Sequence, residues 1–204
     1  MVPRLPLGHR PRRPGSHAPR PGGGTVTFAP TPSQTIGPFY GYALPFPGGG
    51  DVAPAGHPAA VTVHGCVHDG NGIPVPDALL EFWQGPGRAG SLRRDPVTGG
   101  YAGRNGVDFT GFGRVATDAD GRWAVRTLPP PEHAPYLSVC VFARGLTHHL
   151  FTRAYLDETA PEPLLDALPE ERRSTLVAVP DGARTYRFDI HLQGEKETVF
   201  LEFR

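Results

Sequence analysis

Turn-forming residues interrupt this sequence so often that no long helix fits between them. The 204 residues include 27 glycines and 25 prolines, far above average usage, and both residue types break helices and favour short strands joined by turns. Only the stretch PEPLLDALPEERR, residues 161–173, is predicted to form a helix, and a short one. The core of this chain is therefore expected to consist mainly of strands.

Many segments between these turns alternate apolar with polar residues, as half-buried strands do. In VTVHGCVHD, residues 61–69, the alternation places the three valines on one face. YLSVCVFARG, residues 136–145, is almost continuously apolar and is predicted to be a central strand. Asp118-Ala119-Asp120-Gly121 predicts a hairpin turn between its flanking strands. The other predicted strands are 77–84, 111–118, 121–128, 149–157, 174–180, 185–193 and 198–203.

Eight or nine short strands at this spacing predict an all-β fold, either a sandwich or a barrel. We expect one folded domain over residues 25–204. Residues 1–24 contain five arginines, no acidic residue and no apolar periodicity, and are therefore predicted to be a disordered tail.

Charge and cysteine usage restrict the class of function. The formal net charge is zero and the pI is about 7.1, so nucleic acid is not an expected partner. Neither a secretory signal nor a run of apolar residues long enough for a membrane span is present, so a cytoplasmic protein without membrane contact is expected. Cys66 and Cys140 each lie in a strand-like run and are expected to be reduced.

Three polar side chains, those of His64, Cys66 and His68, alternate on one predicted strand face. Strand residues four apart are about 13 Å from each other, whereas metal ligands lie about 2.0–2.3 Å from a shared ion. A polar sheet surface or a subunit contact is therefore expected here. The adjacent His148 and His149 point to opposite strand faces and are expected at a strand edge or an interface.

Arg144 ends the apolar run VFARG. An arginine at the end of a buried strand either pairs with an acidic side chain or faces an anionic ligand, and these residues alone leave both possibilities open. A second unusual feature is the uncharged stretch TPSQTIGPFYGY, residues 31–42, which is rigid, aromatic and expected to be a docking surface.

Taken together, several motifs in order carry a family resemblance over residues 27–204. They are TPSQTIGPFY, GCVHDGNGIPVPDALLEFWQ, GYAGRNG, GFGRVATDADGRWAVRTLPP, APYLSVCVFARG and TYRFDIHLQGEKETVFLEF. The chain resembles the α chains of protocatechuate-cleaving intradiol dioxygenases. The resemblance implies a prealbumin-like β-sandwich and a homologous β chain as partner, in a hetero-oligomer that cleaves protocatechuate with O2 to 3-carboxy-cis,cis-muconate. The alternative is a prealbumin-like ligand-binding module without a catalytic role.

The same resemblance implies that Fe(III) is held by the β chain, through two Tyr and two His, and not by this chain. The catalytic chain's two histidines align with Tyr136 and Ser138 here, and one of its tyrosines aligns with Tyr101. The segment with the second tyrosine has no counterpart in RTLPPPEHAPY. A degenerate site without iron is therefore expected, and an independent iron dioxygenase is not.

The resemblance also assigns roles to residues of this chain at the partner's site. Thr35, Gly37 and Pro38 would form part of the wall of the substrate pocket, with ordinary packing between subunits as the alternative. Arg144 would lie near the carboxylate of protocatechuate. No catalytic residue is expected in this chain alone.

Overall fold

The structure is a computed structural model that describes residue 37 and residues 40–85, 92–94, 96–97, 101–104 and 107–203. At residues 42, 92–94 and 101–104 it describes the backbone alone. The predicted tail, residues 1–24, and the predicted pocket residues Thr35 and Pro38 lie outside the described residues.

Short strands dominate the described part of the chain, as the density of turn residues predicts. The strands are β1 Val61–His68, β2 Leu79–Trp83, β3 Leu92–Arg94, β4 Tyr101–Arg104, β5 Phe112–Ala116, β6 Arg122–Thr127, β7 Tyr136–Phe142, β8 Leu150–Tyr155, β9 Val179–Pro180, β10 Thr185–Arg187 and β11 Ile190–His191. The helical pieces are α1 Tyr40–Ala43, α2 Pro163–Ala167, α3 Glu170–Arg173 and a 3₁₀ turn, Ser174–Leu176. None of the described helices is long and apolar enough to cross a membrane.

Two sheets enclose the main core. In the first sheet, β1 has β6 on one side and β10 and β11 on the other. β10 pairs with the first part of β1 and β11 with its last residues, and β9 pairs with the outer edge of β10. The other has the order β5-β2-β7-β8, and β3 pairs with β4 separately. Core side chains come from both sheets, among them Val63, Val67, Val125, Leu80, Leu137 and Val139. The predicted all-β sandwich is confirmed, and β7 is central in its sheet, as predicted.

Burial along β1 follows its sequence pattern. Buried and half-buried residues alternate over the whole strand, with Val61, Val63 and Val67 inside. Its neighbours on one edge are β10 and β11, which run parallel to it. Between these two pairings the carbonyl of Phe188 approaches so closely that a Cβ at Gly65 would lie 2.0 Å from its oxygen. Glycine is therefore required at position 65.

The predicted hairpin at Asp118–Gly121 is wrong, although the turn forms. The Gly121 N–H donates to the Asp118 carbonyl at 3.0 Å, and Gly121 has the positive φ of +72° expected of such a turn. However, β5 pairs with β2 and β6 pairs with β1, so the turn connects the two sheets. Turn chemistry specifies the reversal of the chain but not the sheet that the next strand joins.

The strand predicted at 198–203 is also wrong, and only one isolated bridge, Phe151 to Leu201, forms there. Side chains, and not a ladder, satisfy the backbone N–H and carbonyl of Val199. Thr152 donates to the Val199 carbonyl at 2.8 Å, and Thr175 accepts from the Val199 N–H at 3.1 Å. The helix predicted at 161–173 is divided into α2 and α3. Pro169 causes the break, because the residue before a proline disfavours helical geometry.

Candidate functional site

Antiparallel pairing of β2 with β7 brings Asp77 and Arg144 together. Leu79 lies opposite Phe142, and continuing that register by two residues places Asp77 opposite Arg144 at the same end of the sheet. The guanidinium of Arg144 donates through Nε and Nη2 to Oδ2 of Asp77. The Arg144 side chain remains 69% exposed, whereas that of Asp77 is 26% exposed. Of the two possibilities for Arg144, the ion pair therefore forms, and it leaves most of the arginine side chain accessible.

Tyr40 joins this pair from the start of α1. Its hydroxyl donates to the backbone carbonyl of Asp77 at 2.5 Å, and the ring is 8% exposed. Burial raises the pKa of Tyr40, as does the negative charge of Asp77, while Arg144 acts in the opposite direction through its charge and a backbone hydrogen bond. The hydroxyl is thus kept protonated, as a donor to Asp77 must be. We call Tyr40, Asp77 and Arg144 the arginine cluster.

The arginine cluster attaches Tyr40, near the end of the uncharged stretch, to Asp77, just before β2. Gly37 is three residues before Tyr40, and three residues span at most about 11 Å. Gly37 is exposed, and a Cβ built on it would have no atom within 4 Å. Gly37, a predicted pocket residue, therefore lies within about 11 Å of Tyr40 in the arginine cluster, whereas Thr35 and Pro38 are outside the described residues.

Sequence reasoning missed two members of the cluster, Tyr40 and Asp77. Asp77 begins the predicted strand 77–84 and Arg144 comes near the end of 136–145. Their pairing could have been found only by assuming that these two strands are antiparallel neighbours. Nothing in the sequence distinguishes Tyr40 from the other aromatic residues of its stretch.

The positions expected to form a degenerate metal site contain a different arrangement. Tyr136 and Ser138 lie on the same side of β7, and Ser138 pairs in register with Trp83 and Arg153 on the neighbouring strands. The guanidinium carbon of Arg153 lies 3.9 Å from the centroid of the Tyr136 ring. Only the backbone of Tyr101 is described. A cationic side chain thus covers the phenol ring of Tyr136.

Arg153 belongs to a largely buried hydrogen-bonded network. Its Nη1 lies 2.8 Å from Oε1 of Glu162, and their side chains are 22% and 15% exposed. The Tyr155 hydroxyl donates to Oε2 of Glu162 at 3.0 Å, and the same oxygen caps α2 by accepting the Leu164 N–H at 2.9 Å. Burial raises the pKa of Tyr155 to about 12. Burial would also raise the pKa of Glu162, but the hydrogen bonds from Leu164 and Tyr155 and the charge of Arg153 together lower it.

These side chains do not fit a ferric ion. Fe(III) prefers anionic oxygen ligands and imidazoles, whereas Ser138 offers a neutral hydroxyl and the guanidinium over Tyr136 repels a further cation. Glu162 is already occupied by three donors. Among the described residues, no group of three or more His, Cys, Asp or Glu side chains is placed to hold a metal ion.

Comparison with known proteins identifies the family. The protocatechuate 3,4-dioxygenase alpha chain of Burkholderia cepacia is 40% identical over 203 residues, which cover 87% of this chain and 99% of that protein. The chain belongs to the family of protocatechuate 3,4-dioxygenase alpha chains. The alpha chain of Pseudomonas putida is 35% identical over 206 residues, covering 85% of this chain and 96% of that one. No protein-family model matches the sequence.

A solved structure supports the same placement. The dioxygenase domain of a dioxygenase–carbohydrate-binding protein fusion from Streptomyces sp. SirexAA-E superposes with a TM-score of 0.51 at 25% identity. The match covers 81% of this alpha chain and 99% of that domain. The chain is accordingly a dioxygenase subunit, and the family predicted from its motifs is confirmed.

The histidines of this alpha chain have separate neighbours. Nε2 of His64 lies 3.0 Å from Oδ2 of Asp181, whereas His68 stacks on His191 with ring centroids 4.8 Å apart. The second pair could not be predicted from the sequence, because it depends on the parallel pairing of β1 with β11, which local sequence does not specify. His149 packs between the rings of Phe142 and Phe151.

The stacked histidines predict a loss of stability in mild acid. Burial lowers the pKa of His191 below its ordinary value of 6.5, and the charges of His68 and Lys196 lower it further, while Asp189 opposes them. Below pH 6.5 the unfolded chain therefore binds a proton that the folded chain resists, so the free energy of unfolding should fall as the pH decreases from 6.5.

Urea unfolding at pH 7.5 and pH 5.5 measures this effect. We expect His191→Gln to lose less stability than the wild type between these two values. An equal loss in both proteins would contradict a contribution from His191.

Proposed function

We propose that this chain is the non-iron-binding subunit of a protocatechuate 3,4-dioxygenase. Its partner is a homologous β chain that holds the ferric ion, and the active unit is a hetero-oligomer of αβ pairs. The substrates are protocatechuate and O2, and the product is 3-carboxy-cis,cis-muconate. Support comes from the names and full-length coverage of the relatives and from side chains here that do not suit iron. No observation favours a ligand-binding module without a catalytic role.

In this proposal the chain contributes the pocket wall and the cation that recognises the substrate. Thr35, Gly37 and Pro38 present backbone and a rigid apolar surface to the flat ring, and Arg144 faces its carboxylate. The observation that carries the proposal is the arginine cluster. Tyr40 bonds to Asp77, and Asp77 bonds to Arg144, so the end of the uncharged stretch is attached beside the exposed guanidinium.

Substrate chemistry explains why such a cation is useful. Protocatechuate is a benzoate with two ring hydroxyls, so it carries a negative carboxylate at neutral pH. The ferric ion of the partner supplies the ring-cleaving chemistry at the hydroxyl end. An arginine at the opposite end stays charged at any working pH and presents a planar fork of donors that matches a carboxylate.

Metal analysis of this chain with and without its partner tests whether the β chain, and not this chain, holds the iron. Purified alone, the chain should be colourless, because the ferric–tyrosinate absorption band requires bound iron. Co-expressed with the β chain, the complex should be red-brown, contain iron in proportion to the β chain and consume O2 with protocatechuate. Tightly held stoichiometric iron in the isolated chain would contradict the proposal.

We further propose a cytoplasmic location for the complex. Both cysteines are free, and Cys140 is buried in a strand where burial raises the pKa of its thiol to about 12. Such a thiol is unreactive, and the absence of a disulfide between the two cysteines suits a reducing compartment.

A further inference from the structure

The contact between Asp77 and Arg144 uses only one edge of the guanidinium. Nε and Nη2 both donate to Oδ2 of Asp77, and these two nitrogens form the side-on edge of the guanidinium. Both N–H groups of Nη1 and the second N–H of Nη2 point away from Asp77. The end-on edge, formed by Nη1 and Nη2, is therefore presented for a bidentate contact with another carboxylate.

Asp77 itself is held from two directions. Its backbone carbonyl accepts the Tyr40 hydroxyl, and it lies two residues before β2, opposite Arg144 in the register of β2 with β7. Its side chain is 26% exposed and that of Arg144 is 69% exposed. An exposed arginine without such an anchor samples many rotamers, and fixing it only when the ligand arrives reduces affinity.

The geometry points to Asp77 as a positioning residue that holds Arg144 ready for the carboxylate of the substrate. Asp77 touches neither the ring nor the iron in this assignment. It holds the guanidinium by the edge formed by Nε and Nη2, so that the edge formed by Nη1 and Nη2 faces the pocket. Through Tyr40 it also connects the same arginine to the start of α1. This assignment rests on the proposed function, because it requires that Arg144 face the substrate.

The test compares Asp77→Asn with the wild type in the complex with the β chain. Asparagine keeps the size of the side chain and the backbone carbonyl that Tyr40 contacts, but it removes the charge that orients Arg144. We expect KM for protocatechuate to rise by about 3- to 10-fold with kcat nearly unchanged. Catechol, which has no carboxylate, should show no change in either constant. In an Arg144→Ala background, Asp77→Asn should not raise KM for protocatechuate further, and it should recover part of the loss because it removes the unpaired negative charge.

Several results would overturn the assignment. A lower KM for protocatechuate would show that Asp77 competes with the substrate for Arg144. An equal change on catechol, or a failure of Asp77→Asn to assemble with the β chain, would assign Asp77 to the fold or the subunit contact. Asp69→Asn is a matched control, because within the described part of the chain that carboxylate accepts hydrogen bonds only from backbone N–H groups of its own turn. This variant should leave both constants unchanged.

A second measurement separates this inference from the proposed function. In the isolated chain, the Nε–H resonance of Arg144 should be protected from solvent exchange, and the protection should decrease in Asp77→Asn, because a neutral amide oxygen is a weaker acceptor than a carboxylate. A wild-type complex that fails to turn over protocatechuate would contradict the proposed function, while the protected resonance would still report the anchoring. An unprotected Nε–H in the wild type would contradict the anchoring itself.

Discussion

Replacing Arg144 with Ala is expected to lower kcat/KM for protocatechuate by about 10- to 150-fold in the complex with the β chain. In the proposed role of Arg144, the physical reason is the loss of a charge-assisted contact with the substrate carboxylate. The variant also leaves the carboxylate of Asp77 without its partner at the same place. That remaining negative charge would repel the substrate, so the loss should lie toward the upper part of this range at low ionic strength.

Catechol provides the decisive control for Arg144→Ala. It lacks the carboxylate, so its turnover should barely change and the preference for protocatechuate over catechol should shrink. Arg122→Ala is a matched control in the same chain, because Arg122 is also exposed and also paired with an aspartate, Asp120. It should affect neither substrate. Equal losses on both substrates in Arg144→Ala would instead assign Arg144 to the fold or to the subunit contact.

Replacing Glu162 with Ala is expected to cause the largest loss of stability, about 3 kcal/mol. The substitution leaves the guanidinium of Arg153, which is 22% exposed, without its counter-charge. It also removes the acceptor for the Tyr155 hydroxyl and the cap of α2. For a chain of this size the thermal midpoint should fall by roughly 6–12 °C, measured by circular dichroism on the isolated chain.

Two variants make the result for Glu162 interpretable. Glu162→Gln keeps the size of the side chain but replaces one carboxylate oxygen with nitrogen and removes the charge. Its loss of stability should therefore be intermediate. Glu158→Ala changes an exposed glutamate nearby and should alter stability by less than about 0.5 kcal/mol. A loss below about 1 kcal/mol in Glu162→Ala would show that the pair contributes no more than a surface ion pair.

The central strands could be predicted from the sequence because their burial pattern is local. In β1 and β7 each residue's inward or outward direction follows from its position along the strand, and Val63 and Val139 are buried as expected. The segment 198–203 has a similar alternation but forms no strand, because Thr152 and Thr175 satisfy the backbone of Val199 that a ladder would otherwise satisfy. Alternation reports which side chains are buried and not which groups the backbone bonds to.

The candidate site was only half predictable for a related reason. Arg144 could be identified from the sequence because it is a charged residue near the end of an apolar run. Its partner Asp77 lies 67 residues away along the chain, just before β2, and only the register of β2 with β7 brings the two together. The stacking of His68 on His191 depends in the same way on a parallel pairing. Such pairings are properties of the whole fold, so single motifs cannot specify them.

The position of β1 between β6 and the pair β10–β11 has a consequence for biosynthesis. The strand emerges from the ribosome well before residues 185–191, its parallel neighbours, have been translated. Until then one edge of an apolar strand is unpaired, and such an edge can pair with another nascent chain. The nascent polypeptide therefore cannot close this sheet until residues 185–191 have been made. Premature termination before residue 185 should yield aggregating fragments and not a smaller folded domain.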